Sequence, residues 1–190
     1  VKIIIFSIRV LIDKLNINLK LNNGVIMSVG IIGLGAMGGA YARNLLAGGI
    51  AVHGFDPDPS AQKMLTEAGG TPQSDYGDWL RDCEMIILSI ASTQILADSI
   101  NKLCKILKPG QPVLETGTFT LDTKQAAKND LDNCGAVLLD CPVSGTGAQA
   151  AVADLVMMAS GPENSYLKIA PLIEHFTKKV IYAGPFGNGS

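Results

Sequence analysis

The chain has 190 residues, 47% of them hydrophobic and 17% charged, and a net charge of −2. A domain of this size buries about 70% of the surface its unfolded chain exposes, and this hydrophobic fraction argues against intrinsic disorder. Aromatic residues make up only 5%, so the core must be aliphatic. The weak negative charge argues against a nucleic-acid partner, and no apolar stretch reaches the ~18 residues of a membrane span.

Residues 1–27 differ from the rest of the chain. They carry Lys2, Arg9, Lys14 and Lys20 against Asp13 alone, while the remainder is acidic. They are read as an N-terminal extension outside the core, with Met27 as the natural start, or else as an added strand or helix. Residues 28–190 are read as one domain. Its predicted elements alternate. Val29–Ile32 is a strand, Ala36–Ala47 a helix ended by Gly48 and Gly49, and Ile50–Phe55 a second strand. A helix runs from Pro59 or Ser60 to Ala68, and Asp75–Asp82 is a helical turn. Met85–Ile90 reads as a strand buried on both faces. Then come helix Thr93–Leu107, strand Pro112–Glu115, helix Leu121–Asn133, strand Ala136–Asp140, strand Asp154–Ala159, helix Glu163–Phe176 and strand Lys179–Tyr182. This alternation predicts an α/β fold of the Rossmann type, doubly wound, with a mostly parallel sheet and helices on both faces.

Gly33-Leu34-Gly35-Ala36-Met37-Gly38 is a G-x-G-x-x-G between a strand and a helix. Gly33 permits the tight turn, Gly35 lets a pyrophosphate approach the backbone, and Gly38 allows close helix–strand packing. The helix start adds free N–H groups and a positive dipole end. Asp56 lies 18 residues after Gly38, at the end of the second strand. Its carboxylate can accept hydrogen bonds from a ribose and would repel a 2′-phosphate, which favours NAD over NADP. It can equally be a turn former before Pro57. A second constellation, Asp140-Cys141-Pro142-Val143-Ser144-Gly145-Thr146-Gly147, follows a strand. It offers hydroxyls and N–H groups where open α/β sheets bind ligands, and suits a small carboxylate. An ordinary Ser/Gly loop is an equal reading of the residues alone. Glu115-Thr116-Gly117-Thr118-Phe119-Thr120, after another strand, can offer Thr118 to the same crevice, or serve as the start of a helix with Thr120 as its N-cap. Cys83, Cys104, Cys134 and Cys141 form no CxxC pair and have no His cluster beside them. Neither a metal site nor a disulfide framework is expected, and reduced thiols in a cytoplasmic protein are. His53 in a strand and His175 near a helix C-terminus read as structural or surface residues.

The first glycine loop, with Ala42, Asn44, Leu45 and Gly48, resembles the opening of the β-hydroxyacid dehydrogenases, the 3-hydroxyisobutyrate dehydrogenase-like group. Asp140, Pro142, Val143, Ser144 and Gly145, with Ala150 and Leu155 through Met158 to Gly161, resemble that family's substrate-site segment. The resemblance spans Ser28 to Ser190. It implies that Gly33, Leu34, Gly35, Ala36, Met37 and Gly38 hold the cofactor pyrophosphate. Ile90 and Ala91 line the cofactor, and Thr118 lies near its nicotinamide. Ser144 and Gly145, with Thr146 beside them, anchor the substrate carboxylate, which makes Ser144 the one catalytic-site residue within the chain. It further implies hydride transfer between NAD, with NADP possible, and a small 3-hydroxy acid or its semialdehyde, in a homo-oligomer. A lysine base would follow a segment like Gly187-Asn188-Gly189, so this stretch alone would bind cofactor weakly and be inactive. Several residues depart from the family pattern: Ala91 for Pro, Gly117 for Ser, Leu121 for Pro, Thr146, Ala153 and Ser160 for Gly. The departure at Thr146 leaves room for sugar-acid substrates. A non-catalytic dinucleotide-binding module and an imine-reductase-like member of the same superfamily are the alternatives.

Overall fold

The computed structural model describes residues 27–190, and the reading of residues 1–26 lies outside them. β1 (Ser28–Ile32), β4 (Met85–Leu88), β5 (Pro112–Glu115) and β6 (Val137–Asp140) are strands of one parallel sheet. With β2 (Ala51–Phe55) and β3 (Thr71–Pro72) their order is β3-β2-β1-β4-β5-β6. The strand order reverses direction between β1 and β4, which is the switch point of a doubly wound sheet. The registers pair Ile32 with Leu88 and Glu115 with Asp140 at the carboxyl ends of the strands.

Near-continuous apolar runs make these strands, because both faces are covered. On one face Val29, Ile31, Met85, Ile87, Leu114 and Leu139 pack under α1 (Ala36–Ala47), α2 (Pro59–Glu67) and α6 (Glu163–Ile173). On the other, Ile32, Ile86, Leu88, Val113 and Leu138 pack under α3 (Thr93–Leu103) and α4 (Leu121–Asn133). Each fully buried Ile or Leu in these layers is worth about 1.5–3 kcal/mol over leaving it in water.

The last strands do not extend this sheet. β7 (Val143–Ser144), β8 (Val156–Ala159) and β9 (Lys179–Tyr182) form a second sheet, with β7 antiparallel and β9 parallel to β8. Pro142 lacks the N–H that would continue β6, and an antiparallel bridge between Asp140 and Ser160 joins the two sheets at that point. Strand β3, strand β7 and the short helix α5 (Gly147–Ala151) are too brief to show a periodicity and had no counterpart among the predicted elements. The predicted helix to Leu107 ends at Leu103 and finishes in turns before Pro109.

Candidate functional site

The glycine loop leaves β1 and enters α1. Gly33 has φ +90°, and a Cβ there would lie 2.3 Å from Ser89 O, so only glycine makes this turn. A Cβ on Gly38 would lie 1.9 Å from Gly33 O, because the first turn of α1 packs directly on the loop. Gly35 differs from both: a Cβ there would meet nothing within 4 Å. The fold therefore requires Gly33 and Gly38 but not Gly35, whose bare backbone faces open space at the N-cap of α1. No side chain caps this helix, so its first-turn N–H groups point to the same opening.

Asp56 ends β2 beside the loop. Its Oδ2 accepts a hydrogen bond from Leu34 N at 2.7 Å, and its Oδ1 accepts one from Asp58 N at 2.8 Å. The carboxylate thus sets the loop and the start of α2 at once. Both readings of Asp56, turn former and ribose acceptor, are compatible with this position, since each oxygen keeps a free lone pair.

A cleft of about 790 Å³ lies over the switch point. It gathers Gly35, Ala36 and Met37 after β1, Ile90 and Ala91 after β4, Thr118 after β5, and Gly145 after β6. Four connections from one sheet edge converge because parallel strands end together there. Ser144, exposed on β7, opens instead onto an adjoining groove of about 520 Å³ that shares Gly145. Gly145 has φ +146°, and its Cβ would strike the Leu155 side chain at 2.4 Å. Thr146 plays another part. Its hydroxyl accepts from Gln149 N and its own N–H donates to Gln149 Oε1, a capping box that starts α5. The hydroxyl read as an addition to the anchor is therefore occupied by the helix cap. The cap has a purpose, for Ala150 O accepts a hydrogen bond from Asn44 Nδ2 and ties α5 to α1.

Beneath the cleft floor lies a buried charge cluster. Lys124 Nζ stands 2.6 Å from Asp140 Oδ1 and 2.9 Å from Glu115 Oε2, and all three side chains are inaccessible. Lys124 is aligned to donate to Asp140 but not to Glu115 Oε2, which has no hydrogen-bond donor. Burial accordingly raises the Glu115 carboxyl above its ordinary 4.5, against the pull of Lys124. Cys141 is fully buried, and that burial holds its thiol well above the ordinary 9, so it is no nucleophile. Tyr41, on the buried face of α1, lines the cleft; burial pushes its phenol up to about 12, and it remains protonated.

Sequence reasoning passed over Tyr41, Ser89, Ser92 and Phe119, which also line the cleft. It passed over Lys124 as well. The signal for Lys124 was available: it falls on the same stripe of α4 as Ala127 and Leu131, a cation on a buried face.

The family described as the NAD binding domain of 6-phosphogluconate dehydrogenase matches residues 28–184. The chain is 30% identical over 160 residues to an L-threonate dehydrogenase of Cupriavidus necator, covering 83% of the chain and 54% of that protein. It is 31% identical over 184 residues to a probable 3-hydroxyisobutyrate dehydrogenase, mitochondrial, of Arabidopsis thaliana, covering 89% of the chain and 53% of that protein. A solved 3-hydroxyisobutyrate dehydrogenase from Salmonella typhimurium superposes with a TM-score of 0.79 at 26% identity, over 86% of this chain and 59% of that one. The chain spans about half the length of the curated relatives it matches. With its 3-2-1-4-5-6 sheet, its phosphate-type loop and a match over most of its length, the chain belongs to the NAD-binding domain family of 6-phosphogluconate dehydrogenase.

Proposed function

We propose that the chain supplies the dinucleotide-binding half of an oxidoreductase that moves a hydride between NAD and a small 3-hydroxy acid or its semialdehyde. One observation carries the reading. The cleft is lined by both the bare backbone of Gly35 and Gly145, and the groove of Ser144 adjoins it at Gly145, so a pyrophosphate site and a carboxylate-type turn border one another. The residues fit the cofactor. The first-turn amides of α1 and the open Gly35 face a diphosphate, Asp56 faces a ribose, and Ile90, Ala91 and Thr118 border the nicotinamide end. When bound, the nicotinamide supplies the hydride donor or acceptor. Ser144 and Gly145 orient the substrate carboxylate beside it. Substrates of the L-threonate and 3-hydroxyisobutyrate type, named for the relatives, both carry the carboxylate that this turn suits. The Thr146 hydroxyl, occupied in its cap, offers no further donor to a sugar acid.

NADH fluorescence on titration with the 190-residue chain tests the cofactor site. Saturable binding that ADP-ribose displaces is expected; unchanged emission at millimolar protein would refute it. Asp56→Asn keeps an acceptor for Leu34 N–H and removes the charge. It should narrow the preference for NADH over NADPH about tenfold. An unchanged ratio would leave Asp56 a turn former only. For the substrate turn, 3-hydroxyisobutyrate or L-threonate added to the NAD complex should bind the chain, and Ser144→Ala should weaken that binding. The same reading carries a homo-oligomer and a cytoplasmic location, to be checked by sedimentation velocity and cell fractionation.

A further inference from the structure

Glu115 and Asp140 are register partners at the carboxyl ends of β5 and β6. Each is the last residue before a turn of the cleft. Glu115 Oε1 accepts from Gly117 N at 2.5 Å and thereby anchors the turn that carries Thr118. Asp140 precedes the turn that carries Ser144 and Gly145. Its Oδ2 accepts from Ser160 Oγ at 3.1 Å, and Ser160 Oγ in turn accepts from Gly189 N at 3.1 Å. Lys124 stands between the two carboxylates, and no other fully buried cation occurs among the described residues. Without its ammonium, two desolvated carboxylates would face each other across adjacent strands, and their repulsion would part β5 from β6 at the edge that forms the cleft.

We propose that Lys124 is a positioning residue: by bridging Glu115 and Asp140 it fixes the spacing of the Thr118 turn and the Ser144–Gly145 turn, and so the width of the nicotinamide end of the cleft. The proposal rests on the dinucleotide reading above. The glycine loop lies two strands away and is held by its own contacts with Ser89, Gly38 and Asp56. Lys124 therefore acts on one end of the cofactor only. This separates positioning from mere support of the fold, which would move both ends.

The test compares NADH with ADP-ribose, which lacks the nicotinamide, on the 190-residue chain. Lys124→Met should weaken NADH about tenfold and leave ADP-ribose within twofold. If Lys124→Met does not fold, Glu115→Gln decides. It keeps the neutral Lys124–Asp140 pair and cuts the link to β5, so a loss of about threefold for NADH alone is expected. Parallel losses for both ligands, or an unchanged NADH affinity, would overturn the positioning role. If the unsubstituted chain binds neither ligand, the dinucleotide reading falls first and this inference with it.

A second observation stands apart from the cleft. Cys104 and Cys134 are the C-caps of α3 and α4, and their sulfurs are 2.7 Å apart. We infer that the pair is a thiol–disulfide modification site for a small oxidant of the glutathione disulfide class. One thiolate displaces a glutathione to give a mixed disulfide, and the other thiol displaces the second. Two protein thiols are oxidised and one glutathione disulfide is reduced to two thiols. Burial, first, and the adjacent Cys134 push Cys104 up to about 12. Treatment with glutathione disulfide should lower the intact mass by about 2 Da and raise Tm by about 5–10 °C, since the bond closes a 30-residue loop. Cys104→Ser should stop at a stable glutathione adduct on Cys134. Retention of all four thiols, or an adduct on the unsubstituted chain that never closes, would overturn the assignment.

Discussion

Three glycines of one loop have three separate duties, and each duty is visible as a distance. Gly38→Ala sets a methyl 1.9 Å from a backbone oxygen that cannot move aside. It should cost about 3 kcal/mol or more of stability, read as a lower midpoint in urea. Gly35→Ala meets nothing in the protein and should leave that midpoint unchanged, while NADH affinity falls about tenfold because the methyl occupies ligand space. Equal effects of the two substitutions on stability would refute the division. Ala153 is a residue-scale departure of the opposite kind. It stands where the resembled family has glycine, and its φ is +55°. Ala153→Gly should therefore raise stability by about 0.5–1 kcal/mol, as a Cβ in the left-handed region costs more than the added chain entropy. Gly117, by contrast, replaces a serine, and a Cβ there would lie 2.7 Å from Glu115 Oε1. That departure fits the hydrogen bond by which Glu115 holds the turn.

Among the elements, α5 shows how a five-residue helix serves a site. Its cap at Thr146 follows directly on Gly145, and its Ala150 carbonyl is fixed by Asn44 of α1. The helix thus hangs the substrate turn from the same α1 that opens at Gly35. Thr146→Ala should cost about 1 kcal/mol, seen as a fall in Tm of about 2–4 °C, and should loosen carboxylate binding while NADH affinity holds. A loss of NADH affinity as large as that of carboxylate would show that α5 does not act on the turn alone. The Asn44 contact also gives a physical reason for an Asn on an otherwise apolar helix face.

At the scale of the molecule, the ends of α1 and α6 meet where the half-buried His175 packs over Gly48. Burial lowers the His175 pKa below its ordinary 6.5, with Glu174 opposing. Folding thus favours the neutral ring. Between the two pKa values the unfolded chain binds more protons, so this share of stability is present above pH 6.5 and is lost as pH falls through the depressed value. Urea midpoints from pH 7.5 down to 5 should decline less steeply in His175→Gln than in the unsubstituted chain. Parallel slopes would dismiss His175 as a source of acid sensitivity. In sequence His175 reads as a surface or dipole residue, because its position near a helix C-terminus says nothing of what crosses above it.

What could be read without coordinates was whatever depends on near neighbours along the chain. The strand and helix alternation, the tasks of Gly33 and Gly38, and the family all rest on periods and spacings of a few residues, where local backbone geometry dominates. Residues Leu121–Asn133 illustrate the boundary. Their pattern announces a helix, yet nothing local says that Lys124 points inward to carboxylates 9 residues before it and 16 after it. That pairing, the second sheet after Pro142, the tie of Asn44 to Ala150 and the contact of Cys104 with Cys134 were decided by tertiary structure alone. Each joins groups distant in sequence or resolves a choice between equal local options. Such choices are settled by burial, because a desolvated polar group must take whatever partner the packing brings to it.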